Sequence, residues 1–402
     1  MDVHNAYLNG DLDEEIYMDL PPGYQIKGET HGGNEKSDYS LFTRSDKNGF
    51  VALLVYVDDI LIGSLNLLTI NAVKTDFNSQ FRIKDLGQVK YFLGLEIAKS
   101  RSGIYICQRK YTLEILEDLG LLGCKLVHTP IETNHKLSHT STNLLKDATI
   151  YRRLIGRLIY LTISRPDITY AVHILSQFMD KLAEIHLKAA HRVLKYLKGS
   201  IGQGILFSAL STLHLKAFSD SDWAAYPETR RSIIGYCIFI GDFMISWRSK
   251  KQAIISRSSA EAEYRALAHT SCEITWIISL LKDFQIDHTK AATLYCDSQS
   301  ALHLIKNPVF HERTKHIEID YHFIWEKVSA GMIIPVHLPS KFQLACIFTK
   351  ALLTATLHFL LSNMDILNIY AHLEGEYQTS SKGSEGCTSS TFSPTIENCL
   401  AW

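Results

Sequence analysis

Three things are scarce in this sequence. Charge of one sign is the first: 41 Lys and Arg stand against 42 Asp and Glu, a net charge of −1. The chain is no polycation, so any contact with nucleic acid must come from local basic surface. Paired cysteines are the second. The eight cysteines, at 107, 124, 237, 272, 296, 346, 387 and 399, form no C-x-x-C pair. That excludes a zinc ribbon and argues against a disulfide scaffold; free thiols fit a reducing compartment. Long apolar runs are the third. None approaches the ~18–20 residues that span a bilayer, and the acidic start is no signal peptide. An intracellular protein, cytoplasmic or nuclear and without a membrane partner, is expected. What remains is an ordinary globular composition, 46% hydrophobic and 21% charged over 402 residues, enough for two or three domains.

One stretch is out of place in such a background. LLVYVDDILIGS (53–64) sets Asp58 and Asp59 between two apolar runs. FVALLVYV (50–57) reads as a strand buried on both faces, and ILIG (60–63) as its hairpin partner. Asp tolerates turns, but two-residue hairpin turns favour Asn-Gly or Asp-Gly. Adjacent carboxylates also repel, the more so where the dielectric is low. A divalent cation would cancel that repulsion, so the pair reads as a metal site.

Y-V-D-D between apolar strands resembles the catalytic hairpin of reverse transcriptases, and MDVHNAYLNGDLDEEIYMDLPPGY (1–24) resembles the palm segment carrying their first catalytic aspartate. The likeness continues through YFLGLEIAKSRSGIYICQRKY (91–111), YRRLIGRLIYLTISRPDITYAV (151–172), and then SDSDWA, RSSAEAEYRAL and CDSQSAL in order. Together they resemble the Pol polyprotein of copia-type long-terminal-repeat retrotransposons, over almost the whole chain to about residue 375. The resemblance implies reverse transcriptase and ribonuclease H. The fold expected is α/β (α+β): a truncated palm-like sheet, a helical connection region, and a ribonuclease H-like mixed β-sheet with flanking helices. The corresponding blocks are 1–100, 101–208 and 209–355, with a partly disordered tail over 356–402.

In the third block LHLKAFSDSDWA (213–224), SIIGYCIFIG (232–241), FMISWRS (243–249), LYCD (294–297) and MIIPVHL read as strands. Ser258 with Glu261 three residues on makes a capping-box pattern, opening a helix over about 259–284. SQSALHLIK, HIEIDYHFIWEKV and KFQLACIFTKALL read as further helices. Three acids stand at informative places: Asp220 on the first strand, Glu263 early in the capped helix, and Asp297 at the end of LYC. Singly, such acids are most often just exposed. The resemblance makes them ribonuclease H ligands for two Mg²⁺ ions, which activate water and stabilise the leaving oxygen of an RNA phosphodiester. Carboxylates suit that hard cation. Asp222 and Glu261 are weaker candidates from the same motifs. The family's last ligand lies in A-D-[IL]-x-T-K, where this chain has Ala345-Cys346-Ile347-Phe348-Thr349-Lys350. Cys346 puts a soft sulfur there, poorly suited to Mg²⁺; partial recovery in Mn²⁺ is expected.

The polymerase half departs further. Its triad by resemblance is Asp2, Asp58 and Asp59, yet the family's fingers and its S-L-Y-G-L-K-Q-A-P-type pocket segment have no counterpart between them. Primer extension is therefore not expected. Lys188, Arg192 and Lys195 recur along a helix over 180–199, either as a solvated face or as a phosphate-binding stripe; the connection-region resemblance favours the stripe. HERTKH (311–316) is no H-E-x-x-H site, because its second histidine comes at i+5, ~140° around a helix from the first. Its Lys315-His316 instead matches the family's T-K-H-I helix start, and His316 is expected on the substrate side. The functional expectation is an impaired nuclease of RNA–DNA hybrids, against a catalytically dead nucleic-acid-binding relic or a domesticated interaction module.

Overall fold

The computed structural model describes residues 37–47, 49–81, 83–139, 144, 147–306 and 318–368, with the backbone of 2–3. Contacts divide the chain into two compact units, residues 1–92 with 273–289, and residues 93–272 with 290–402.

In the first unit the β-branched runs form an antiparallel sheet. Its strands are β1 (Asp2–Val3), β2 (Leu41–Asp46), β3 (Gly49–Tyr56), β4 (Asp59–Ser64) and β5 (Ile83–Lys84), in the order β2-β3-β4-β1-β5. Helix α1 (Leu67–Gln80) starts where the Asn66 side chain accepts the Leu68 N–H at 2.9 Å, an N-cap, and packs on β3 and β4. A short strand β6 (Tyr91–Phe92) follows. The sequence predicts β3 buried on both faces. In the structure Val51 is its one buried residue, most others are half-buried, and Tyr56 is exposed. Apolar content alone does not tell one-sided from two-sided cover.

The second unit holds two sheets and a helical layer. Strands β7 (Leu95–Lys99), β8 (Gly103–Cys107) and β9 (Gln203–Ser208) are antiparallel neighbours. Between β8 and β9 come α2 (Arg109–Asp118), α3 (Thr149–Leu161), α4 (Thr169–Ser176) and α5 (Glu184–Lys198). On α5 the spacing of Ala190, Val193, Leu194 and Leu197 turns one apolar stripe inward. The S-R-P-D stretch pins this layer. Arg165 grips Asp167 through Nε (2.9 Å) and Nη2 (2.7 Å), and its Nη1 donates to the Ser200 carbonyl. All three residues are buried.

The mixed sheet comprises β10 (Leu215–Asp222), β11 (Ile233–Ile240), β12 (Phe243–Lys251), β13 (Ala292–Cys296) and β14 (Ile333–His337). Its order is β12-β11-β10-β13-β14; β10 is antiparallel to β11 and parallel to β13. Helices α6 (Ser259–Asp283), α7 (Gln299–Lys306) and α8 (Glu318–Ser329) follow the expected segments. The α/β class and the mixed sheet stand as the sequence predicts. The helical layer and this sheet share one core, however: Leu158, Leu175 and Leu194 join Cys237 of β11 and Phe348 in a single cluster.

Two expectations fail locally. KFQLACIFTKALL is not one helix but two 3₁₀ turns, Ser340–Phe342 and Leu344–Phe348, before α9 (Thr354–Ser362). Gln343 ties the second turn down, accepting the Ala345 N–H while donating to the Ser219 carbonyl at 2.9 Å. The boundary at 355/356 also cuts α9. Its Leu357 and Leu360 enter the core, and β15 (Ile366–Asn368) pairs with β9, so the fold continues to Asn368.

Candidate metal centre

Strand register assembles the centre. In the parallel pair β10–β13, Phe218 stands opposite Tyr295. Asp220 and Asp297 each lie two residues further on, so both acids arrive at the same end of the sheet. Helix α6 brings the third. Its cap is satisfied by the Glu261 N–H donating to Ser258 Oγ at 3.2 Å. The Glu261 carboxylate is spent on the Arg257 N–H (2.8 Å) and the Arg265 guanidinium (3.0 Å), which removes it from the candidate ligands. Residues i and i+2 of a helix face apart, and Glu263 turns to the sheet, where its Oε1 accepts the Ser221 N–H at 3.1 Å.

Donor atoms of Glu263, Cys296 and Asp297 lie within 4.8 Å of one another, the one such group among the described residues. Burial holds the Glu263 carboxyl well above the ordinary carboxylate range, with the negative charges of Asp220 and Asp297 adding to it; the Ser221 N–H and Lys350 pull the other way. A buried acid with two more acids beside it fits a divalent cation, which would relieve desolvation and repulsion together.

Asp220 is adjacent but differently engaged. Its Oδ2 accepts the Thr349 hydroxyl and lies 3.4 Å from Lys350 Nζ. Burial alone would lower the Lys350 ammonium; Asp220, Cys346 and Asp222 outweigh it and raise it. Cys346 is buried beside them, its thiol pushed up by burial and by Asp220 and drawn down by Lys350. Asp222, half-buried, is raised by desolvation against the pull of Lys350. The segment reaches Asp220 because Gly235 is its cross-strand partner. A Cβ on Gly235 would come within 2.6 Å of Thr349 and 2.8 Å of Phe348.

Sequence reasoning missed Cys296, Thr349 and Lys350 as parts of this site. The signals were present, a sulfur next to Asp297 and a cation four residues after Cys346, but neither residue type is an Mg²⁺ ligand.

The hairpin of Asp58 and Asp59 is the second site the sequence predicts. The turn lies one residue earlier than the sequence predicts: Tyr56 pairs with Asp59, leaving Val57 and Asp58 as its two central residues. Val57 has φ +50°, the sign a type II′ turn demands at that position and a strained one for a β-branched side chain. On β1 the backbone of Asp2 stands opposite Asp59. Asp58 and Asp59 are half-buried.

Of the basic stripe, Lys188 pairs with Glu184 at 2.7 Å and Arg192 with Glu132 at 3.0 Å. Lys195 has no such partner among the described residues. His316 lies outside them.

A family model described as reverse transcriptase (RNA-dependent DNA polymerase) matches residues 31–133. The retrovirus-related Pol polyprotein from transposon RE1 of Arabidopsis thaliana is 40% identical over 383 residues, 88% of this chain and 26% of that protein. The transposon Ty5-1 protein of Saccharomyces cerevisiae is 31% identical over 308 residues, 68% of this chain and 100% of that protein. Among solved structures, ribonuclease H1 of Halobacterium salinarum aligns at 16% identity and a TM-score of 0.23, over 33% of this chain and 90% of that one. The chain spans about a quarter of the length of the RE1 polyprotein. It belongs to the copia-type retrotransposon Pol polyprotein family.

Proposed function

We propose that this chain is an impaired, divalent-metal-dependent ribonuclease of RNA–DNA hybrids that has lost primer extension. The observation that carries the reading is the convergence of Glu263 and Asp297 beside Asp220, with Cys346 where a further carboxylate would complete the set. Glu263 and Asp297 would hold a metal, Mg²⁺ or, better tolerated, Mn²⁺; bound there it would supply charge stabilisation at the scissile phosphate and a more acidic water. Asp220 would join once the phosphate or metal draws Lys350 away. The palm block (1–100) would contribute the strained hairpin, its sequence holding no counterpart of the family's pocket segment. The connection block (101–208) offers Lys195 to the hybrid backbone, and His316 is assigned to the substrate side. An intracellular, reducing setting accords with six described cysteines that are all free. No helix of the described residues is long and apolar enough to cross a membrane.

A second reading, a hybrid-binding relic without catalysis, is favoured by one observation: Thr349 and Lys350 already occupy Asp220 Oδ2. Incubation of the purified chain with a labelled hybrid in Mg²⁺ and in Mn²⁺ separates the two. Slow Mn²⁺-dependent cleavage supports the nuclease, while salt-sensitive binding with no cleavage in either metal supports the relic.

A further inference from the structure

We propose that Cys296 is itself a metal ligand, and that with Glu263 and Asp297 it forms a site selective for a thiophilic divalent cation, Zn²⁺ above Mg²⁺. The inference rests on reading this cluster as the metal centre, and adds which metal the chain's own residues prefer. Cys296 Sγ lies 3.8 Å from Glu263 Oε2. Bond lengths of 2.3 Å to sulfur and about 2.1 Å to oxygen place the two donors of a tetrahedral zinc site about 3.6 Å apart. For this pair a shift of a few tenths of an ångström suffices. The Asp297 carboxylate completes a set of three donors within 4.8 Å. Three protein ligands and an open position make a familiar zinc arrangement, whereas Mg²⁺ demands near-octahedral oxygen and gains nothing from a thiolate.

Glu263 supplies an independent pointer. It is only 7% exposed, and among the described residues its Oε2 has no donor except that thiol, a weak one. A buried carboxylate oxygen left so poorly partnered is costly. A cation bridging Oε2 and Sγ, with the thiol proton and the carboxyl proton both released to water, partners Oε2 fully, while Sγ keeps the Ser298 N–H it already accepts at 3.4 Å. On this account Zn²⁺ competes with Mn²⁺ for the centre and silences it, since divalent affinity at such donors rises from Mn²⁺ to Zn²⁺.

The test uses the full chain, stripped of metal under reducing conditions and titrated with Co²⁺. A near-ultraviolet sulfur-to-cobalt charge-transfer band should grow to one Co²⁺ per chain, be displaced by stoichiometric Zn²⁺, and persist in excess Mg²⁺. Cys296→Ser should lose the band and bind Zn²⁺ at least ~10-fold more weakly, while still binding Mn²⁺ by electron paramagnetic resonance. Cys346→Ser should keep it. A wild-type chain without the band, or a band that survives Cys296→Ser, overturns the proposal. Should substitution of this fully buried residue unfold the chain, X-ray absorption of the wild-type zinc complex decides instead: a coordination shell without sulfur overturns it. Hybrid cleavage is read separately. A cobalt band with no cleavage by any variant removes the nuclease reading alone, and cleavage with no band removes this one alone.

Discussion

Lys350 Nζ stands 3.4 Å from Asp220 Oδ2, the same oxygen that takes the Thr349 hydroxyl. In the metal-free chain this ammonium is the cation of the site, and it makes a buried carboxylate tolerable. Lys350→Met should therefore destabilise the metal-free protein. Losing one partner of a buried pair costs about 3–5 kcal/mol, but the Lys350 side chain is 41% exposed, so solvent screening reduces the expected loss to about 1–2 kcal/mol. Urea unfolding with and without Mn²⁺ measures it. The loss should shrink when Mn²⁺ is present, and an equal loss in both conditions would place Lys350 outside the metal centre.

Glu263 gives a pH signature. Burial and its acidic neighbours raise its folded carboxyl above the unfolded value of 4.5. The folded state thus keeps a proton that the unfolded chain releases, and metal-free stability falls as pH rises through that window. Glu263→Gln removes the effect while keeping an acceptor for the Ser221 N–H. The variant should be more stable than wild type by about 0.5–2 kcal/mol, with a larger gain at pH 8 than at pH 5, and should bind Mn²⁺ poorly. A gain independent of pH would contradict the assignment.

The elements that carry these acids were legible beforehand. Apolar strand runs and the capping box at Ser258 located β10, β13 and α6, while the choice of Asp220, Glu263 and Asp297 on them came from the family resemblance. What failed to show was tertiary. The 341–353 stretch is apolar enough for a helix, yet its seat on Gly235 and the Gln343 tether impose 3₁₀ turns. Glu261 looked like a ligand because a capping acid and a metal acid are the same residue type. The Val57 turn was misplaced because no local rule puts a β-branched residue at positive φ.

Helix α5 makes a narrower claim than its sequence did. Lys188 and Arg192 already hold carboxylates, while Lys195 does not. Lys195→Ala should flatten the salt dependence of hybrid binding by about one charge, and Lys188→Ala with Arg192→Ala together by less than about two. Fluorescence anisotropy over a salt series reads the slopes. Unchanged slopes in all variants would leave α5 an ordinary solvated face.

For the polymerase half, the expectation is an absence of template-directed incorporation. Phosphoryl transfer depends on positioning, and Asp58 and Asp59 sit on a hairpin without the pocket segment. Incorporation by the purified chain that disappears in the Asp58→Asn, Asp59→Asn double variant would falsify this.

The most direct measurement compares hybrid cleavage by wild type, Cys346→Asp and Asp297→Asn in Mg²⁺. Restoring a hard anion next to Asp220 should raise Mg²⁺-dependent cleavage by at least ~10–100-fold, the penalty expected for a lost ligand shell. Asp297→Asn should abolish whatever activity the wild type has. A Cys346→Asp chain that folds normally and cleaves no faster than wild type would contradict the placement of the active site.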